Sequence, residues 1–77
     1  MKRLMEFTLN GKKVVLSYNR VSCSDQSLKE MFNRLLVKAR KEWPNERYFL
    51  CYLYNQYLSE FSLTNVAFRM KDQSRSV

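Results

Sequence analysis

Apolar and polar residues alternate along the chain as far as Val21, then recur at helical spacing, and lose a clean period beyond Pro44. The first stretch carries a turn signal at its middle. Asn10-Gly11 lies between Arg3–Leu9 and Lys12–Val21, and Asn-Gly suits a type I′ turn because both central residues need positive φ. A two-residue loop fixes the register, setting Leu9 opposite Lys12, Phe7 opposite Val14, Met5 opposite Leu16 and Arg3 opposite Tyr18. That register gathers Met5, Phe7, Val14, Leu16 and Tyr18 on one face. Glu6, Thr8, Lys13 and Ser17 fall on the other, with Leu4 and Val15 as apolar exceptions. A β-hairpin over residues 1–21 follows from both signals.

After a polar connector, Ser22–Gln26, the spacing changes. Leu28, Met31, Phe32, Leu35, Leu36, Ala39 and Trp43 cover an arc of about 140° on a helical wheel, a normal width for a helix packed on a sheet. This predicts a helix over 27–43, with Leu28, Phe32 and Leu35 on the Phe7/Val14/Leu16 face and Trp43 at the core or its edge. Ser27 and Glu30 have the spacing of a capping box. Pro44 ends the helix, because the residue before a proline is pushed out of helical geometry.

The last third reads two ways. Arg47–Tyr54 is dense in aromatic residues, which suits a strand buried on both faces. Asn55-Gln56 is a weak turn, and Tyr57–Phe61 with Leu63–Met70 read as one bulged strand or two short ones. Tyr54, Tyr57, Leu58 and Phe61 also fit a helical template. The aromatic density favours strands over 47–70, ahead of a frayed polar tail over 71–77.

The expected architecture is therefore a single α+β domain over 1–77, of order ββαββ, with one helix packed on an antiparallel or mixed sheet. The alternative is ββαα, with a helical last third. In element order and length the chain resembles the β-grasp architecture of ubiquitin-like domains. The resemblance implies a fold and no chemistry, because conjugation and sulfur transfer in that family depend on a Gly-Gly end, and Gly11 is the sole glycine here.

Composition narrows the chemistry. There is no His, so imidazole bases, His-containing triads and His–Cys zinc sites are excluded. Cys23 and Cys51 are too few for a thiolate metal site and are expected as reduced, partly buried thiols. The single Gly leaves nothing for a phosphate-cradling loop. The acids are scattered; Glu42 and Glu46 have helical spacing, but Pro44 breaks the helix that would align them. One catalytic scheme survives, a His-free ribonuclease in which Arg47, Tyr48 and Tyr52 stabilise phosphate charge, on generic spacing. The segment after Met1-Lys2-Arg3 breaks too soon for a signal peptide, and the apolar run Tyr48–Tyr54 is far shorter than the ~20 residues of a spanning helix. A cytoplasmic protein with no membrane contact, no cofactor and no catalytic activity is expected.

Charge gives the positive signal. Fourteen Lys/Arg against seven Asp/Glu leave a net +7, more than solubility requires of so short a chain. Arg34, Lys38 and Lys41 fall within about 60° of one another on the helix, with Lys29 and Arg40 on another flank. Lys12 and Lys13 sit at the hairpin tip. In a strand, Tyr48, Leu50, Tyr52 and Tyr54 share a face, and the helix covers Phe49, Cys51 and Leu53 on the other. Basic groups beside exposed aromatics suit single-stranded nucleic acid, through phosphate contacts and base stacking. They suit a protein interface equally. The expected function is a small basic regulatory module that contacts nucleic acid through Lys12, Lys13, Arg34, Lys38, Lys41, Tyr48, Tyr52 and Tyr54. The alternative is a small inhibitor or adaptor that acts on an acidic protein surface, through the tyrosine face or a strand edge.

Overall fold

The computed structural model describes residues 2–71. Strand β1 (Lys2–Leu9) turns through Asn10 and Gly11, at φ 54° and 77°, into β2 (Lys12–Leu16). Both turn residues have the positive φ that a type I′ loop needs. Phe7 pairs with Val14 and Met5 with Leu16, the register set by the two-residue loop. Their side chains are buried together on one face.

β2 stops at Leu16, short of the expected Val21, so Arg3 and Tyr18 do not pair. The Ser17 N–H donates to the Arg20 carbonyl at 2.9 Å, closing a second tight turn. The chain returns as β3 (Val21–Cys23), paired antiparallel to β2. The stretch read as the end of one strand and a polar connector is thus a second hairpin.

Helix α1 (Gln26–Glu42) matches the expected span to within a residue, but its cap differs. Asp25 is the N-cap, accepting the Leu28 N–H at 3.1 Å, and Ser27 lies inside the first turn. Glu30 accepts from Gln26 at 3.2 Å, not as half of a capping box. Phe32, Leu36 and Ala39 are buried, while Leu28 and Leu35 pack around them half-buried. Phe32 meets Phe7 edge to face at 5.5 Å, which seats the helix on the predicted side of the sheet.

The strands expected over 47–70 form only in part. Residues 49–58 are helical, as α2 (Phe49–Leu53) followed by a π-helical turn, Tyr54–Leu58. The Asn45 side chain accepts the Arg47 N–H at 3.0 Å, and its carbonyl accepts the Tyr48 N–H at 3.3 Å. This Asx-type turn, directly after Pro44, starts the new helix. Phe49, Leu50 and Leu53 are buried in helical spacing, so packing overrides the strand preference of the aromatic residues.

Strand β4 (Thr64–Lys71) then adds antiparallel to β1. It is one bulged strand: Asn65 has φ 54°, and the register slips between Glu6 and Thr8. A short polar side chain tolerates this left-handed position, which absorbs the extra residue. Lys71 closes the strand and so departs from the expected tail; 72–77 lie outside the described residues. The sheet order is β3-β2-β1-β4, wholly antiparallel, and the element order is βββααβ. That is an α+β fold, without the hairpin–helix–strands order on which the β-grasp likeness rested. α1 packs beside β3 and α2 beside β1, with the core between helices and sheet.

Candidate nucleic-acid interface

The helical last third redistributes the tyrosines. They do not form the expected row along a strand with Leu50, because α2 turns each by about 100° from its neighbour. Tyr48 precedes the helix, 51% exposed, with the Arg47 guanidinium 5.7 Å from its ring centre. Tyr54 is half-buried, with its ring against Phe68 at 5.8 Å. Tyr52 stacks on Trp43, with ring centres 4.9 Å apart and planes 10° from parallel. Trp43, expected at the core edge, is 38% exposed and finds its partner outside the core.

A carboxylate organises this corner. Tyr52 and Tyr57 each donate a phenolic hydrogen bond to Glu42 Oε1, at 2.8 and 2.7 Å. The two tyrosines are five apart in sequence, and the wider π-helical turn, with its i→i+5 hydrogen bonds, brings them to one side. The phenols, Tyr57 foremost, hold the Glu42 carboxyl below its ordinary range. In return the carboxylate pushes Tyr57 up to about 12 and raises Tyr52 as well. Lys38 lies 5.7 Å from the Tyr57 ring centre. The hydroxyls and one ring face of this set are thus engaged within the molecule. Stacking of a base on Tyr52 is therefore limited to the ring face turned away from Trp43.

The basic residues separate into two kinds. Lys12 pairs with Asp25 at 3.5 Å, tying the hairpin tip to the start of α1. The Asp25 carboxyl is held below its ordinary range by the Leu28 N–H, with Lys12 adding to the effect. Lys13 approaches Glu6 at 4.0 Å, and Arg69 reaches the same carboxylate at 3.3 Å. Arg40 is drawn inward, donating to the Tyr18 carbonyl at 2.7 Å. Arg34, Lys38 and Lys41 remain together. With Asn33 and Val37 they line one shallow depression along the solvent face of α1. Among the described residues none of the three forms an ion pair.

Cys23 is half-buried and Cys51 exposed, both as free thiols, so the expectation of partial burial holds for Cys23 alone. Among the described residues no group of His, Cys, Asp or Glu is placed to hold a metal ion. No helix among them is long and apolar enough to cross a membrane. The sequence reading missed Glu42 as an organising group and Asn45 as a helix start. Asn directly after Pro44 was the available signal for the second. Comparison with family models, with curated proteins and with solved structures gave no match to this chain.

Proposed function

We propose that this chain is a small, non-enzymatic nucleic-acid-binding module that holds the phosphate backbone through the solvent face of α1. One observation carries the reading: Arg34, Lys38 and Lys41 share a depression and have no ion pair among the described residues. From Arg34 to Lys41 the helix rises about 10 Å, over which one strand of a duplex presents about three phosphates. Lys12 and Lys13 stand apart from this grip, because intramolecular carboxylates already partner them. With Tyr52 bound to Glu42 and stacked on Trp43, duplex is favoured over single strand.

The test is a titration of labelled duplex and of single strand, of one length, across a range of salt. Duplex should bind at least as well as single strand. Replacing Arg34, Lys38 and Lys41 together by Gln should weaken every sequence alike and flatten the salt slope by up to about three units. No binding at low salt, where backbone attraction is strongest, removes the proposal.

A further inference from the structure

A second surface lies across the sheet from β3, outside the proposed phosphate grip. β4 is an edge strand, and among the described residues nothing pairs with its outer side. Beyond the bulge, Ala67–Lys71 runs unbroken against β1. Alternate residues of such a strand direct their N–H and C=O groups outward, ready for another strand. Phe68 and Met70 point to the core side, opposite Met5 and Arg3, yet are 49% and 54% exposed. Tyr54, at the end of α2, meets only the Phe68 ring, edge to face at 5.8 Å. Between α2 and the strand is a cleft of about 220 Å³, with Leu50, Phe68 and Met70 among its walls.

Charge identifies the occupant. Arg3 and Arg47 also line this cleft. Neither forms an ion pair among the described residues: the Arg3 guanidinium donates to the Met70 sulfur at 3.9 Å, and Arg47 lies over the Tyr48 ring. Arg69 lines the cleft as well, but it is already matched by Glu6. A second copy of this chain is a poor fit, because pairing β4 with β4 would join two arginine-rimmed clefts on molecules of net charge +7. We propose that β4 takes an extended segment of another protein as a fifth antiparallel strand. That segment sets an aliphatic side chain against Phe68 and Met70 and, two residues along, an Asp or Glu against Arg3 and Arg47. The two-residue step follows from strand geometry, which returns side chains to one face at every second position.

The experiment selects displayed peptides of about ten residues, long enough to match β4, on the full chain. Enriched peptides should combine Asp or Glu with aliphatic residues two positions apart and lack proline. A synthetic copy of the strongest should then be titrated against the protein. The double variant Arg3→Gln/Arg47→Gln should weaken it by about tenfold or more, as the loss of a charge-complementary contact predicts. N-methylation of the peptide backbone at alternate positions should abolish binding in one phase and leave it intact in the other, because only one set of N–H groups faces β4. An excess of duplex DNA should leave the peptide bound. No enrichment, tolerance of N-methylation in both phases, or displacement of the peptide by duplex would each overturn the proposal. A stable dimer of the chain alone, broken by Met70→Arg, would assign the edge to a second copy and also overturn it. Failure of duplex binding with the peptide result intact would remove only the reading of α1.

Discussion

The sheet has two unlike edges. β3 is three residues long and lies beside α1, with Val21 buried against the core. β4 is eight residues long, and its inward-pointing Phe68 and Met70 are about half exposed. One long amphipathic helix covers one side of a four-stranded sheet well, and the shorter helical segment covers the other only in part. A chain of this size has little material for closing both edges. The exposed large apolar side chains of the sheet, Phe68 and Met70, both lie on β4, and the usual protections of an edge strand appear there: a bulge at Asn65 and a charge at Arg69.

Paired truncations break or confirm this contrast most strongly. Phe32→Ala, under α1, should cost about 3–5 kcal/mol, much of the stability of so small a domain. Phe68→Ala, on the matching face of β4, should cost well under half of that, since much of the ring already meets water. Equal losses in chemical denaturation would mean that the open side is as much core as the covered one. A smaller effect isolates the start of α1. Asp25→Ala removes the N-cap and should cost about 1 kcal/mol. Because Asp25 also holds Lys12, Lys12→Ala alone should cost less; the reverse order would place the ion pair above the cap.

The smallest effect concerns pH and the corner where α1 meets the second helical segment. Tyr57 ionises at about 12 in the folded chain, against about 10 when unfolded. Its raised value adds stability that is complete below about pH 10 and is lost as pH rises towards 12. Glu42 is depressed, so its contribution is present above the ordinary carboxylate range and is lost as pH falls below it. Tyr57→Phe should flatten the alkaline decline of the melting temperature and shrink the acidic one. Parallel curves for the two proteins would show that the shared carboxylate does not couple the segments.

The covered side was the more legible in sequence. Asn10-Gly11 set a register that Phe7 and Val14 obey, and the stripe from Leu28 to Ala39 marked the buried face of α1. The open side was obscured for a definable reason. Leu53 and Leu58 are both buried, and Tyr52 and Tyr57 both reach Glu42, at a spacing of five that matches neither a strand nor an α-helix. Tyr54, Tyr57 and Leu58 did fit a helical template in sequence, but the spacing of five escapes a search tuned to 3.6 or 2 residues. The basic trio at Arg34, Lys38 and Lys41 was visible on the wheel. The tyrosine face was not real, because it assumed a strand where packing demanded a helix.

The position of β1 carries a consequence for how the molecule assembles. Its neighbour β2 follows after a two-residue turn, so that pairing forms locally, on the microsecond scale of hairpins. Its neighbour β4 supplies partners from 56 positions away (Thr8 with Thr64) to 69 (Lys2 with Lys71). Every such contact requires most of the chain to be drawn together before any of it is rewarded, and long loops of this kind dominate folding times. The central strand is thus among the first segments ordered and the last to be completed. The pairing with β4 is expected to come last, and until it does β1 is itself an unguarded edge.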